Sequence, residues 1–326
     1  MREYGEKVAI KAYPLGVCAG VNYTWFSARD SLEEDKEAYI IGGNMVNNHL
    51  IVRDLKQRGG ISVERPEDVP VGKIAYRTAH DGSDAELKIL RDRKVLVRDF
   101  SCPLVERVYE RFTSAMIEAT SRRLNPRLLY VCKPDLEHRE VKGVIEQFRE
   151  YLTVVPHEVP IEELTEEKGS YYAIDSQTTM NVFDAMMMVS KIKERIPSAV
   201  TPNRAGICFA TYNRQNALRA VLSEKPELLL VFGSTISSNT KELVNIGLAA
   251  GVKTHLLETG DMVTEKMVTG VNKVAVSGGA SVPIEQPNLA MERLASFGYT
   301  QRVVEVAKEP DFFADKIQPR VFDFRD

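Results

Sequence analysis

Residues 99–151, DFSCPLVERVYERFTSAMIEATSRRLNPRLLYVCKPDLEHREVKGVIEQFREY, decide the fold. Cys102 precedes a run with helical spacing of apolar residues over 104–122. The short strand LLYVC follows, then the polar loop KPDLEHR, then a second helical pattern over 140–151. Working outward, the same order recurs on both sides. Upstream, Cys18 precedes a helix over 21–31, the strand AYII, the loop GGNMVNN and a helix from His49 that Gly59 and Gly60 stop. Downstream, Cys208 precedes a helix over 213–223, the strand LLLVF, the loop GSTISSN and a helix over 241–250 closed by Gly251. Each copy runs on into a further strand with a small or polar end: IAYRTAHDGS, YYAIDSQTTM and VAVSGGASVP.

Helices alternating with short apolar strands predict an α/β fold with mainly parallel sheets. Three copies predict three pseudo-threefold-related α/β domains, a cloverleaf around a shared centre. The expected domains are 8–100, with the C-terminal segment 300–326 packing back onto it, then 101–206 and 207–299. In open α/β sheets ligands sit beyond the carboxyl ends of strands, where loops feed helix N-termini. The three cysteines and the polar loops all map there.

The composition fits this reading. The chain has 326 residues, 44% apolar and 27% charged, which excludes disorder and fibrous repeats and suits two or three domains. With 43 basic against 46 acidic side chains its net charge is -3, so no positive field favours nucleic acid or an anionic membrane face. No stretch reaches the roughly 18 to 20 apolar residues of a membrane helix, and the start has no long apolar h-region; the expectation is a cytoplasmic protein. Four cysteines cannot form a disulfide scaffold in a chain this long, and a reducing compartment turns attention to metal or catalysis.

A lone cysteine is most often a small buried hydrophobe. Three in register are another matter. Cys18, Cys102 and Cys208, one per copy, could hold zinc with a histidine or water, or an iron-sulfur cluster with one iron free of protein ligands. Structural zinc prefers close pairs such as C-x-x-C, so a shared central cofactor suits this spacing better. An open iron could act as a Lewis acid on a substrate oxygen while the cluster supplies single electrons. Cys132, at the end of LLYVC, has no counterpart and reads as core.

The surrounding loops carry neutral hydrogen-bond donors and histidine: Asn44, Asn47, Asn48, His80, Ser83, His138, Thr178, Thr179, Ser237, Ser238, Asn239 and Ser281. At helix starts such groups make an oxyanion site. Glu140 opens a helix and reads either as a dipole-complementing residue or as a proton source. His49 caps or packs. His157 and His255 carry no motif, and Met186–Met188 reads as a core helix.

The segments PLGVCAGV, DFSCPLV, EHREVKG, SQTT, ICFATYNRQ, GSTISSN and SGGAS resemble the 4-hydroxy-3-methylbut-2-enyl diphosphate reductase family, the IspH or LytB proteins of the methylerythritol phosphate isoprenoid route. The similarity spans about residues 8–306. It implies that Cys18, Cys102 and Cys208 ligate a 4Fe-4S cluster with one open iron, and that Glu140 donates a proton. It further implies that Thr178 positions the substrate hydroxyl, while His80, His138, Ser237, Ser238, Asn239 and Ser281 hold a diphosphate. The implied reaction is two-electron reductive removal of an allylic hydroxyl, with electrons from a ferredoxin or flavodoxin.

This chain departs from the family pattern at several points. Gly43 stands where the first loop usually has a histidine, Asp81 follows His80, Arg139 replaces a proline, and Tyr212 replaces a threonine. An added carboxylate beside a polyanion site lowers affinity, whereas Arg139 restores positive charge. These changes point to a paralogue with an altered anion cradle; Asn44, Asn47 or His49 filling the gap would instead leave the usual reaction intact. A non-enzymatic iron-sulfur sensor is the alternative class, and a zinc hydrolase the third.

Overall fold

The apolar runs become strands and the amphipathic runs helices in the computed structural model, which describes residues 6–80, 83–308 and 318–325. Its strands are β1 (Val8–Tyr13), β2 (Ala38–Ile41), β3 (Gly60–Val63), β4 (Ile74–Arg77), β5 (Leu96–Asp99), β6 (Asn125–Cys132), β7 (Leu152–Pro156), β8 (Ser170–Ser176), β9 (Leu228–Phe232), β10 (Lys253–Leu257), β11 (Lys273–Gly278), β12 (Thr300–Glu305) and β13 (Arg320–Asp323). Its helices are α1 (Ala19–Asp35), α2 (His49–Gln57), α3 (Asp84–Asp92), α4 (Pro103–Ser121), α5 (Arg139–Phe148), α6 (Val182–Arg195), α7 (Phe209–Leu222), α8 (Ser238–Ala249), α9 (Glu265–Val268) and α10 (Glu285–Ser296). Among the described residues no helix is long and apolar enough to cross a membrane.

Two compact units result. The described part of the first lies within Met1–Asn22, Asn47–Leu50 and Phe209–Lys316; that of the second lies within Tyr23–Val46, Ile51–Cys208 and Ile317–Asp326. The first unit holds a parallel sheet of order β10-β9-β11-β1-β12. Its centre shows why LLLVF is apolar throughout: Leu228, Leu230 and Phe232 join one buried cluster, Leu229 and Val231 the other. A parallel strand covered by helices on both faces has no polar side. Cutting Leu230, fully buried, to alanine is expected to cost about 2–5 kcal/mol.

The second unit holds two sheets. One has the order β13-β5-β4-β2-β3, parallel except for β13, which pairs antiparallel with β5. The other is the parallel trio β7-β6-β8. Mixed α/β architecture with parallel sheets therefore agrees with the sequence reading.

Two details add to the sequence reading. Residues 8–13 form β1, which pairs with β12 of the 300–326 segment on one side and with β11 on the other, within the sheet of the last third of the chain. Both strands of that tail pair with strands of residues 8–100, β12 with β1 and β13 with β5. The physical reason is that parallel pairing joins strands far apart in sequence, so a strand beside a cysteine need not belong to the sheet that follows it. Met186–Met188 is helical, as expected, yet only Met188 is core; Met186 and Met187 are about half exposed. The helical period gives α6 a buried face of Val182, Ala185, Met188, Val189 and Ile192, and the two other methionines fall off it.

Candidate active site

Each of the three cysteines in register hangs from the end of a strand. The backbone N–H of Cys18 donates to the Ala280 carbonyl at 2.8 Å, that of Cys102 to Ala79 at 3.0 Å, and that of Cys208 to Thr178 at 3.3 Å. Those acceptors lie within SGGAS, RTAHD and SQTT, so one backbone contact recurs three times. The residue after each acceptor is Ser281, His80 or Thr179. Each cysteine also stands at a helix start: Cys18 just before α1, Cys102 as the N-cap of α4, Cys208 just before α7. The Val21 N–H reaches Cys18 Sγ at 3.4 Å. A helix N-terminus favours thiolate over thiol. All three are free of disulfides. Cys132 is the opposite case: fully buried at the end of β6, its thiol is pushed up to about 12 by desolvation and then by the nearby Glu140 charge.

In the second unit, α5 and the end of β8 bring Glu140 and Thr178 together. The backbone N–H of Thr178 donates to Glu140 Oε1 at 2.7 Å and its hydroxyl to Oε2 at 2.8 Å. Tyr130, on β6, donates to Oε1 at 3.2 Å. Glu140 is fully buried, and desolvation raises its carboxyl to about 7 against the pull of the Thr178 and Tyr130 hydrogen bonds. An acid poised there can hold or release a proton near neutral pH. Tyr130 was not anticipated from sequence, nor was Asp175, which adds to the upward push on Glu140 and is itself raised to about 6 by burial. A charged residue inside the otherwise apolar YYAIDS was the available signal.

His80 and His138 meet edge to face, ring centroids 5.7 Å apart. In the first loop Gly42 has φ +76° and Gly43 φ +80°, conformations that favour glycine. The Arg139 guanidinium lies over Gly42, where a Cβ would come within 0.9 Å of Nη1. Arg139 also reaches Glu86 at 3.5 Å and lines a cleft of about 280 Å³ with Glu64, Ser83 and Lys142. Ser83 caps α3 and donates to Glu146 at 2.7 Å, a structural use of a residue the sequence placed among the anion donors. Asp81 lies outside the described residues.

In the first unit, polar residues gather at the start of α8. Ser237 caps the helix, its hydroxyl accepting from the Thr240 N–H at 3.2 Å. Asn239, 5% exposed, has no partner for either amide atom among the described residues, and the buried Thr240 hydroxyl has none. A Cβ on Gly233 or Gly279 would fall 2.3 or 2.2 Å from that hydroxyl, so both glycines keep space open around it. Ser281 donates to the Asn47 carbonyl at 3.4 Å. His49 opens α2 with Nδ1 2.6 Å from Glu258 and 3.1 Å from the Ser234 hydroxyl. Arg214, in ICFATYNRQ, is buried and donates to the Gly16 carbonyl at 2.8 Å, bracing the loop before Cys18, a role its motif does not reveal.

Among the described residues no three His, Cys, Asp or Glu side chains are arranged as ligands of one metal ion. Ligands of a cluster bind different irons and need not converge on one point.

The model of the LytB protein family matches residues 9–295. The 4-hydroxy-3-methylbut-2-enyl diphosphate reductase of Shewanella oneidensis is 33% identical over 311 residues, 93% of this chain and 94% of that protein. That of Pectobacterium atrosepticum is 32% identical, covering 88% and 89%. The solved structure of the E-1-hydroxy-2-methyl-but-2-enyl-4-diphosphate reductase from Plasmodium falciparum superposes with a TM-score of 0.85 over 95% of both chains at 27% identity. With the family model matching most of the chain, a relative 33% identical over 93% of it and a solved structure superposing over 95%, the chain belongs to the LytB family of reductases.

Proposed function

We propose that this chain removes the hydroxyl of an allylic alcohol carrying a diphosphate-like tail, consuming two electrons and two protons and releasing water. The reading rests above all on Glu140, a fully buried carboxyl near pKa 7 held by both donors of Thr178. Cys18, Cys102 and Cys208 would hold a 4Fe-4S cluster; three cysteines outside any disulfide at helix starts suit that donor set, whereas Cys132 does not. Such a cluster, when bound, supplies electrons one at a time and Lewis acidity. A small one-electron carrier such as a ferredoxin or flavodoxin delivers them.

The chain's own residues do the rest. Glu140 holds a proton for the departing hydroxyl, and Thr178 fixes the carboxyl and orients that hydroxyl. His80, His138, Ser237, Ser238, Asn239 and Ser281 bind the anionic tail. The two open hydrogen-bonding ends of buried Asn239 are the strongest support for a ligand at the α8 start.

A second reading keeps this chemistry and alters the tail. It is favoured by Gly43, which brings no side chain, and by Arg139 lying over Gly42. Anaerobically reconstituted protein assayed with 4-hydroxy-3-methylbut-2-enyl diphosphate separates the two, since ordinary turnover removes the second. Glu140→Ala separates an enzyme from a sensor: a catalyst loses turnover and keeps its cluster, whereas a sensor gives no substrate-dependent reoxidation with either residue.

A further inference from the structure

Asp175 ends β8 as a buried carboxylate, 1% exposed. Arg111 of α4 grips it in a bidentate pair, Nε to Oδ2 at 2.5 Å and Nη2 to Oδ1 at 3.0 Å. Oδ1 also accepts from the Ser176 N–H at 2.8 Å. The same oxygen lies against the turn that leads into Cys208, close enough that a Cβ added to Gly206 would fall 1.9 Å from it. Arg204, Ala205 and Gly206 all have positive φ, at 55°, 53° and 87°. Two successive L-residues in the left-handed region persist only where surroundings hold them. Here the Ser176 hydroxyl donates to the Ala205 carbonyl, and the Cys208 N–H donates to the Thr178 carbonyl. Thr178 in turn presents its N–H and hydroxyl to Glu140.

We infer that Asp175 and Arg111 form a positioning pair: the carboxylate, fixed by the guanidinium, holds the left-handed turn of Cys208 against the strand end that carries Thr178. The proton donor and one thiol are thereby set by a single rigid corner, and neither residue of the pair need touch substrate. The inference builds on the roles proposed for Cys208 and Glu140. Its geometry needs only the chain itself, so metal-free protein tests it. An ion pair with one buried member is sensitive to losing either partner, since the other is then left uncompensated.

The experiment measures alkylation of Cys18, Cys102 and Cys208 by iodoacetamide in metal-free protein, each site followed by peptide mass spectrometry. Asp175→Asn should raise the Cys208 rate tenfold or more relative to Cys102, with Cys18 unchanged. Arg111→Gln, at a partly exposed side chain, should move the same ratio in the same direction, and it decides the matter alone if Asp175→Asn does not fold. Arg111→Lys should recover part of the wild-type ratio. A Cys208 rate within twofold of wild type, or three rates rising together as in general loosening, overturns the inference. Should the ratio respond while reconstitution yields no iron-sulfur cluster, the cofactor reading fails and the positioning pair stands.

Discussion

The Glu140 corner of the second unit and the α8 start of the first are both buried and polar, yet they are finished differently. At Glu140 both carboxyl oxygens are engaged, by Thr178 and Tyr130. At Asn239 and Thr240 buried hydrogen-bonding atoms have no partner among the described residues. Leaving such atoms unpaired costs about 1–3 kcal/mol each, so a fold retains them where something else completes them. On the roles proposed above, the contrast separates a group that controls a proton from a group that receives an anion.

The largest effect should come from the finished corner. Glu140→Ala is expected to lower turnover of the reconstituted protein by roughly 10²- to 10⁴-fold, the usual contribution of a positioned acid, while iron and sulfide content stay unchanged. Turnover unaffected by the change would remove Glu140 from the chemistry. The same carboxyl makes stability depend on pH. Its folded pKa, about 7, exceeds the ordinary 4.5, so the folded chain binds the proton more tightly than the unfolded one. That stabilisation is complete below about pH 4.5 and disappears as pH rises through 7, a swing of roughly 3 kcal/mol. Denaturant unfolding of Glu140→Gln should therefore show a flatter profile between pH 4.5 and 8 than wild type. Turnover should fall on the alkaline side of 7, where the acid is spent.

The unfinished loop should respond in the opposite sense. Asn239→Ala is expected to weaken binding of inorganic pyrophosphate to the metal-free chain by about 10-fold or more, matching a hydrogen bond to a charged group. Its unfolding midpoint should hold or rise, because two unpaired buried atoms are gone. A drop in both properties would mean that Asn239 is structural. Thr178→Val gives the smallest change and completes the contrast: it should cost about 1–3 kcal/mol of stability by removing a hydroxyl from a buried carboxyl, with little effect on pyrophosphate affinity.

Much of this organisation is legible in the sequence because it is local. Helical spacing after each cysteine foretells α1, α4 and α7, and unbroken apolar runs such as LLLVF foretell strands covered on both faces. Glu140 and Thr178 were visible as motif members. What escaped depends on contacts distant in sequence. No local pattern reveals that Val8–Tyr13 inserts beside Lys273–Gly278, since parallel pairing is decided by crossovers. Tyr130 looked like any strand aromatic, and only α5 packing on β6 turns its hydroxyl into a donor to Glu140. Arg111 resembled an ordinary surface charge on α4 until β8 supplied Asp175. The cysteine amides show the same reach, that of Cys18 donating to Ala280 near the other end of the chain.

The antiparallel β13 carries a consequence for handling the protein. Parallel edge strands expose unpaired backbone groups that recruit neighbouring chains, and β13 covers the open side of β5. Arg320 at its start also ties to Asp99 at 2.7 Å and to Glu106. A truncation before residue 318, or a bulky fusion that keeps this strand from docking, would uncover a sticky border and favour self-association, even though the catalytic motifs lie elsewhere in the sequence.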